Sequence, residues 1–342
     1  MKPPSWWWRP EPARQARLLA PLGALYAAAT ARRLAQGGGS PPGLPVICVG
    51  NLEAGGAGKT PVVIALAERL TVRGVKVHLV SRGYGGRLPG PVQVGPVHSA
   101  GDVGDEPLLL SAFAPTWIAR DRAQGVRAAA SAGAKAIVLD DGLQNPAPPK
   151  DLSLLVVDAA RGWGNGLPLP AGPLRELPRD GVSRADLLVT LGPPEAQEAF
   201  ERRWAPLVAR LPRLRAMVRP LPTGMPWEGL RALAFAGIGV PDKFFATLRG
   251  LGVDLAGTRA LADHQPIPPR LFARLEAEAQ ALGARLVTTE KDAVRLPPEC
   301  RGRVLVLPVR LASEDWSPLD AALDRLFAAY APPASPQRSG SS

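Results

Sequence analysis

Short apolar segments alternate with segments of helical spacing over most of this chain. The first six apolar segments have the length and composition of buried strands. They are Val46–Val49, Val75–Val80, Pro115–Ile118, Ala136–Leu139, Ser153–Val157 and Leu187–Thr190. The helical segments among them are Pro61–Val72, Pro107–Phe113, Arg120–Ala132 and Glu195–Ala209. Strands and helices that alternate in this way predict an α/β domain with a doubly wound, mostly parallel sheet.

A proline-rich passage, residues 219–226, interrupts the alternation and is typical of a domain connection. Beyond it, strands are predicted at Ala232–Phe235, Val253–Ala256, Arg285–Thr288 and Val304–Pro308, and helices at Asp242–Leu251, Pro269–Leu282 and Pro318–Tyr330. We therefore expect a first domain over residues 38–218 and a second, smaller α/β domain over 219–331. The tail, residues 332–342, has the composition of a disordered segment.

The segment before the first strand, residues 1–37, has a different character. Trp6, Trp7 and Trp8 precede Arg14 and Arg17, an uncharged run from Leu18 to Ala31 comes next, and Arg32 and Arg33 follow it. The run is shorter than the roughly 20 apolar residues that span a bilayer, and its leucines share one helical face. We expect a helix that lies in the membrane interface. A secretory signal peptide and a helix docked on the protein's own core are the alternatives.

The motif with the most specific chemistry follows the first predicted strand. There the chain enters a glycine-rich turn, and an amphipathic helix comes next. The turn comprises Gly55, Gly56, Ala57, Gly58, Lys59 and Thr60. This is the context of a phosphate-binding loop, or P-loop, in which Lys59 reaches the β- and γ-phosphates and Thr60 binds Mg²⁺. Glu53 departs from the usual pattern, because it stands where the first glycine belongs. We predict a nucleotide site of the ATP type on a P-loop NTPase-type sheet.

Two adjacent carboxylates, Asp140 and Asp141, end the predicted strand Ala136–Leu139. The carboxyl ends of parallel strands carry the ligand sites of such sheets, so both should lie near the P-loop. Two like charges in contact repel unless a cation compensates them. The pair therefore favours a Mg²⁺ site, as strand-end aspartates provide in P-loop enzymes.

Four more polar clusters fall at predicted strand ends or in long loops. They are Ser81–Gly86, Val103–Pro107, Arg161–Glu176 and the pair of segments Asp263–His264 and Thr288–Asp292. Asp105 and Glu106 lie at a helix start, where N-capping explains them as well as catalysis does. In the long loop, Arg175 is a candidate for stabilising phosphoryl charge and Glu176 for assisting the metal.

Composition limits the partners. The chain of 342 residues has a formal net charge of +11, which suits anionic substrates or an acidic membrane surface. A basic composition bias with solvated side chains explains the charge equally simply. Neither a nucleic-acid-binding motif nor a basic stripe interleaved with aromatic residues is present, so nucleic acid ranks last among the partners. Two cysteines, Cys48 and Cys300, provide neither a disulfide framework nor metal-ligand spacing.

In this order, the motifs resemble those of the tetraacyldisaccharide 4′-kinase family, the lipid A 4′-kinases. The matching segments are Val49–Leu52, Gly55–Pro61, Ser81–Gly86, Val103–Pro107, Leu139–Gln144, Gly164–Glu176, Phe235–Gly239 and Thr288–Ala293. They extend from about residue 40 to about residue 310, and the N-terminal apolar segment adds to them. The displaced first glycine of the P-loop is similar to that family's loop.

The resemblance implies ATP-dependent phosphorylation of the 4′-hydroxyl of a lipid A disaccharide 1-phosphate precursor. Asp105 would accept the hydroxyl proton, and His264 would tune or orient Asp105. Lys59 and Arg175 would offset charge on the transferred phosphoryl group. The metal shell would comprise Thr60, Asp140, Asp141 and Glu176. We expect a monomer held peripherally at the cytoplasmic face of the inner membrane, with the anionic lipid surface as a partner.

Two positions depart from the family pattern. Asn145 stands where the family usually has a histidine, and Gln265 stands where it usually has the second histidine of a pair. If that second histidine is the family's helper, the proposed pair of Asp105 and His264 fails. The alternatives for the whole chain are a P-loop switch or partitioning-type ATPase and a soluble small-molecule kinase. The first leaves the second domain and Asp105 without a role, and the tryptophan-rich N-terminus argues against the second.

Overall fold

Residues 3–330 are described by the computed structural model, so the predicted tail at 332–342 lies outside the described residues. The strands are β1 (Val46–Gly50), β2 (Val77–Ser81), β3 (Val92–Gln93), β4 (Thr116–Ile118), β5 (Ala136–Asp140), β6 (Leu152–Asp158), β7 (Leu187–Leu191), β8 (Arg213–Pro220), β9 (Arg231–Ala236), β10 (Asp254–Ala260), β11 (Arg285–Thr289), β12 (Leu305–Leu307) and β13 (Val309–Ala312).

The helices are α1 (Arg14–Ala35), α2 (Lys59–Val72), α3 (Ala100–Val103), α4 (Asp105–Leu110), α5 (Arg122–Ser131), α6 (Pro178–Val182), α7 (Pro194–Val208), α8 (Pro241–Gly250), α9 (Pro269–Ala281), α10 (Glu290–Ala293), α11 (Pro298–Arg301) and α12 (Ser317–Tyr330). A single 3₁₀ turn, Ser5–Trp8, precedes α1 in the described range.

A nine-stranded sheet organises most of the chain, in the order β13-β8-β7-β6-β1-β5-β2-β4-β3. Its inner neighbours pair in parallel, and only the edge pairs β3/β4 and β13/β8 are antiparallel. β1 lies between β5 and β6, and all five of its residues are buried. The doubly wound, mostly parallel sheet expected from the sequence is confirmed.

Helices cover both faces of this sheet, which explains why its strands are apolar on both sides. On one face α2 and α12 pack with the strand side chains of Ile47, Val138 and Leu154. On the other face α5 and α7 pack around Ile137 and Leu155. We call this body, residues 46–220 and 309–330, the large unit.

A second sheet has the order β10-β9-β11-β12, and all of its pairs are parallel. The apolar side chains of α8 pack on one face, around Phe244 and Leu248, and those of α9 pack on the other, around Phe272 and Leu275. We call residues 231–307 the small unit. Its core is separate from the cores of the large unit.

The C-terminal segment differs from the prediction that residues 219–331 form the second domain. β13 pairs with β8 in the large sheet, with Val309 opposite Pro220. α12 then places Leu319 and Leu323 in the core beside α2. An apolar stripe on a helix predicts burial but does not specify which sheet covers it.

The N-terminal helix α1 has two distinct faces. Small residues, among them Gly23 and Ala27, are buried, and a Cβ on Gly23 would lie 3.0 Å from the Pro168 carbonyl oxygen. On the opposite side Leu18 is 81% exposed and Leu25 is 71% exposed. The helix therefore docks on the protein by its small residues and leaves its leucines outside. In residues 3–330, no helix has the length and apolar content needed to cross a membrane.

The position of α12 yields a stability prediction. Leu323 is fully buried in the core of the large unit, so Leu323→Ala should lower the free energy of unfolding by about 2–5 kcal/mol. Val72, on the neighbouring helix α2, is 89% exposed, and Val72→Ala is the matched control with an expected change below about 0.5 kcal/mol. Chemical denaturation of both variants measures the difference. Equal midpoints would show that α12 does not support the core.

Candidate active site

The P-loop connects β1 to α2 at the centre of the large sheet. Gly58, which precedes α2, has φ of 83°, a left-handed conformation that suits glycine. Lys59 is the first residue of α2, and its Nζ donates to Asn51 Oδ1 at 2.9 Å. The same Nζ lies 3.4 Å from Asp141 Oδ1. The lysine is thus held across the mouth of the loop, where a bound phosphate would lie.

Glu53, the residue in place of the first glycine, is buried and serves the loop structurally. Asn51 Nδ2 donates to its backbone oxygen at 2.9 Å and to its Oε2 at 3.1 Å. The backbone of Glu53 pairs antiparallel with Leu174. Burial raises the pKa of the Glu53 carboxyl to about 7, against the opposing effect of Lys59. The side chain is therefore partly protonated near neutral pH, which lowers the cost of burying it.

The long loop predicted to be functional is attached to the P-loop by main-chain hydrogen bonds. Ala54 N donates to Pro173 O, and Arg175 N donates to Leu52 O, both at 2.7 Å. This places Arg175 Nη1 3.0 Å from each carboxylate oxygen of Asp141. The sequence predicted a role for Arg175, and the structure brings it within the same charged group as Lys59.

The two aspartates at the end of β5 have different surroundings. Asp140 is buried beside the P-loop strand, since it pairs with Val49 of β1, and it accepts a hydrogen bond from Ser81 Oγ at 3.1 Å. Burial, with the nearby charges of Glu106 and Asp141, raises the pKa of Asp140 to about 7. Burial also acts on Asp141, but Lys59 and Arg175 outweigh it and hold the pKa of that carboxyl below its usual value.

The structure does not place Glu176 with the other predicted metal ligands. Both of its carboxylate oxygens accept hydrogen bonds from Arg184 Nη2, at 2.8 and 2.6 Å. Gln144 Nε2 also donates to Glu176, at 2.9 Å, and to the Asn51 backbone oxygen, at 2.8 Å. Glu176 is therefore a buried support for Gln144, which in turn accepts a hydrogen bond from Arg175. Glu176 and Arg175 thus share Gln144 as a partner, but Arg175 reaches Asp141 whereas Glu176 pairs with Arg184.

A carboxylate and an imidazole meet where the small unit contacts α4. Asp105, the first residue of α4, is 4% exposed, and His264 Nδ1 lies 3.0 Å from both of its oxygens. Gly104, directly before Asp105, lets the turn after β2 approach the start of α4, because a Cβ there would lie 2.5 Å from the Tyr84 carbonyl oxygen. Burial raises the pKa of Asp105, but His264, Lys291 and Arg295 together lower it below its usual value. Asp105 is therefore ionised at neutral pH.

The histidine of this pair is the residue at 264, and Gln265 does not replace it. Gln265 Oε1 accepts a hydrogen bond from the backbone of Ala262 at 2.9 Å, so its side chain is occupied elsewhere. Asn145, the other departure from the family pattern, lines the cleft and accepts a hydrogen bond from Ala147 N at 3.1 Å. Neither departure removes the contact between Asp105 and His264.

One cleft of about 700 Å³ extends from the P-loop to His264, and the buried Asp105 lies behind this histidine. Its lining includes residues from α1, the P-loop, the ends of β2 and β5, and the small unit, among them Tyr26, Lys59, Asp140, Arg175 and His264. Three further lining arginines, Arg82, Arg120 and Arg122, were absent from the predicted site residues. Arg120 and Arg122 follow β4, and this position after a strand end is the sequence feature that could have indicated them.

A phosphoryl donor and a hydroxyl acceptor need separate partners within one water-poor cleft. The P-loop with Lys59 suits the donor, and His264, with the carboxylate of Asp105 in contact with it, suits the acceptor. By fold and site this chain is therefore a P-loop phosphotransferase.

Comparison with known proteins specifies the family. The profile of the family Tetraacyldisaccharide-1-P 4′-kinase matches residues 15–328. The tetraacyldisaccharide 4′-kinase of Dinoroseobacter shibae is 64% identical over 330 residues, which are 96% of this chain and 98% of that one. The enzyme of Rhodospirillum centenum is 51% identical over 332 residues, 96% of this chain and 97% of that one. The chain belongs to the tetraacyldisaccharide 4′-kinase family, and it is a kinase of lipid A biosynthesis.

A solved structure agrees with the assignment. LpxK from Aquifex aeolicus, crystallised in complex with ATP, superposes with a TM-score of 0.73 at 26% identity. The match covers 91% of this chain and 99% of that chain. The family resemblance recognised from the sequence motifs is confirmed, together with the P-loop fold and the kinase activity.

The P-loop assignment predicts the effect of one substitution. Lys59→Ala removes the point charge nearest the donor phosphates and should lower kcat by about 10³-fold or more. Lys135, an exposed lysine before β5, is the matched control, and Lys135→Ala should retain full activity. Phosphate incorporation into lipid product measures both variants, and circular dichroism checks their folding. Near-normal turnover by a folded Lys59→Ala protein would refute the assignment.

Proposed function

We propose that the chain transfers the γ-phosphoryl group of ATP to the 4′-hydroxyl of its disaccharide 1-phosphate acceptor across the cleft between Lys59 and Asp105. The observation that carries this proposal is the contact between Asp105 and His264, because His264 lines the same cleft as the P-loop. A nucleotide switch needs no buried base opposite its γ-phosphate. The ATP bound to the Aquifex aeolicus relative supports the identity of the donor.

The donor end of the cleft supplies positive charge from fixed positions. The amides of residues 55–60 and the N-terminus of α2 would hold the β-phosphate. Lys59 and Arg175 both contact Asp141, at 3.4 and 3.0 Å. Asp141 thus holds two cations near the donor site. Both would then offset the charge that develops on the transferred phosphoryl group.

The donor set near the P-loop fits Mg²⁺. Asp140 is a buried carboxylate whose raised pKa reflects burial and neighbouring negative charge, and a divalent cation would relieve both. The Thr60 hydroxyl, one residue after Lys59, is the second oxygen ligand, and phosphate oxygens would supply others. When bound, the ion would neutralise charge between the β- and γ-phosphates. Among residues 3–330, no three His, Cys, Asp or Glu side chains form a ready metal cluster.

Asp105 performs the acceptor chemistry in this proposal. Its carboxylate takes the proton of the 4′-hydroxyl as the O4′–γ-phosphorus bond forms and the bond from γ-phosphorus to the β–γ bridging oxygen breaks, which releases ADP. The amide of Glu106 donates to Asp105 Oδ1 at 3.0 Å, and His264 contacts both oxygens. These contacts fix the direction in which the carboxylate faces the substrate.

Association with an anionic membrane surface, at the cytoplasmic face of the inner membrane, is the second part of the proposal. The outer face of α1 exposes Leu18, Leu22 and Leu25, while Tyr26 and Arg33 of the same helix line the cleft. A membrane that covers the leucines would therefore lie beside the entrance used by an acylated acceptor. Because one chain supplies both walls of the cleft, we propose that the monomer is the active unit.

The catalytic part is tested with purified protein, ATP, Mg²⁺ and detergent-dispersed acceptor. Asp105→Ala should lower kcat by at least about 10²-fold and change the KM for ATP little, because the base acts on the acceptor. His264→Gln should have a smaller effect. The double variant should be less impaired than the product of the two single effects if the residues act as one unit. A fully active Asp105→Ala protein would exclude Asp105 as the base.

The membrane part is tested by substitution of the exposed leucines, since deletion of α1 would also uncover the surface on which it packs. Replacing Leu18, Leu22 and Leu25 by serine should weaken binding to anionic vesicles by about 10²-fold or more, because each buried leucine contributes about 1.5–3 kcal/mol. Activity on dispersed acceptor should persist. Val72 and Val97, each 89% exposed, are the control positions for the same substitution. Unchanged vesicle binding by the leucine variant would place the anchor elsewhere.

A further inference from the structure

Lys291 is a small-unit residue that reaches both members of the catalytic pair. It lies in α10, directly after β11. Its Nζ is 3.1 Å from Glu106 Oε1, 3.9 Å from Asp105 Oδ2 and 3.5 Å from His264 Nε2. The side chain is 20% exposed, so these charges interact in a partly desolvated space. The sequence had indicated only a polar run at this position.

We propose that Lys291 is a positioning residue for phosphoryl transfer, which opposes a proton on His264 Nε2, orients His264 to donate from Nδ1 to Asp105 and holds the small unit against α4. This inference rests on the proposed role of Asp105 as the base.

The neighbours of His264 select its tautomer. An ammonium group only donates hydrogen bonds, so Lys291, 3.5 Å from Nε2, favours a lone pair on that atom and opposes the Asp263 carboxylate, which lies 3.7 Å from it. An ionised carboxylate only accepts, so the Nδ1 atom that faces Asp105 must carry the proton. A second proton on the ring would place two positive groups 3.5 Å apart. Lys291 therefore opposes the imidazolium form.

The neutral form matters because of its effect on the base. An imidazolium would pair with Asp105 as a full ion pair and would make that carboxylate a poorer proton acceptor. The hydrogen bond to Asp105 outweighs burial and Lys291, both of which lower the pKa of His264, so this pKa lies above its usual value. Lys291 thus limits the rise in the pKa of His264 that the hydrogen bond to Asp105 causes.

Lys291 is itself held by a rigid support. Arg295 Nε donates to the Lys291 backbone oxygen at 3.3 Å, and Arg295 Nη2 pairs with the fully buried Asp292. Asp292 also accepts hydrogen bonds from Gly237 N at 2.9 Å and from Thr289 Oγ1 at 2.6 Å. This network fixes the start of α10, so the ammonium group has a defined position relative to the pair.

The charged groups that face the pair come from three places. Asp105 and Glu106 belong to α4, Asp263 lies 3.7 Å from His264 Nε2 in the loop after β10, and Lys291 and Arg295 come from α10 and the turn after it. Removing Lys291 leaves three carboxylates around His264 and one fewer cation near Asp105. The loss of this cation raises the pKa of His264 and the pKa of Asp105, so both residues should retain their protons to higher pH.

The structure provides a matched control for this substitution. Lys243, in α8 of the small unit, pairs at 2.5 Å with Asp158 at the end of β6 in the large unit. It therefore joins the same two units by the same kind of ion pair, without contact to the catalytic pair. A general effect of losing one such pair would appear in Lys243→Met as well as in Lys291→Met.

The experiment compares Lys291→Met, Lys291→Arg and Lys243→Met in the full-length protein. Lys291→Met should lower kcat by about 10²-fold with little change in the KM for ATP, and the acid limb of its kcat/KM profile should move to higher pH. Lys291→Arg should restore part of kcat. Lys243→Met should keep the kcat and pH profile of the unmodified protein. If Lys291→Met does not fold, Lys291→Gln is measured instead.

A second measurement on the same variants does not depend on enzyme activity. The chain contains three histidines, so the imidazole nitrogens of His264 are resolvable by ¹⁵N NMR after assignment with His264→Gln. The titration midpoint of His264 should move to higher pH in Lys291→Met and remain unchanged in Lys243→Met. An unshifted midpoint, or equal loss of kcat in both methionine variants, would overturn the proposal. A shifted midpoint in a chain without lipid kinase activity would instead refute the proposed function alone.

Discussion

The ionised state of the buried Asp105 carboxylate is the condition on which the catalytic site depends. A carboxylate that is 4% exposed keeps its charge only where nearby donors and cations offset the lost hydration. The side chains that do so, His264, Lys291 and Arg295, all come from the small unit, while the Glu106 amide adds a hydrogen bond from α4 itself. The two α/β sheets therefore complete the site only together. The carboxylate proposed as the base acquires its low pKa where the small unit contacts α4, and the same ion pairs join the two units.

The carboxylates of the site have different surroundings and therefore different pKa values. Asp105 has His264, Lys291 and Arg295 as neighbours and a pKa below its usual value, as the proposed proton acceptor requires. Asp140 is buried with Glu106 and Asp141 as neighbours, which raises its pKa to about 7, and a cation would favour its ionised form. Asp141 balances Lys59 and Arg175. One class of side chain thus suits the proposed roles of base, metal ligand and counter-ion, because burial and partners differ at each position.

The N-terminal helix connects this chemistry with the proposed membrane surface. Its buried face is built from residues without large side chains, which lets the helix approach the loop around Pro168 closely. Its exposed leucines remain available for lipid, and Tyr26 faces the cleft. The interfacial helix and the docked helix, considered as alternatives at the level of sequence, are therefore compatible properties of two faces of one element.

Local patterns in the sequence determined the elements and much of the chemistry. The strand, glycine turn and helix around Lys59 predicted the phosphate site, and the run that ends at Asp140 predicted a carboxylate beside it, because both features depend on neighbours in the chain. Contacts between distant residues were decided only by the tertiary structure. Three contacts illustrate this: α12 packs on the large unit, Glu176 pairs with Arg184, and Lys291 approaches His264. The periodicity of the sequence does not indicate which of these segments meet. The spacing of apolar residues predicts which side chains are buried, and a charged residue among them is expected to have a partner. Only the packing of the folded chain determines which residue that partner is.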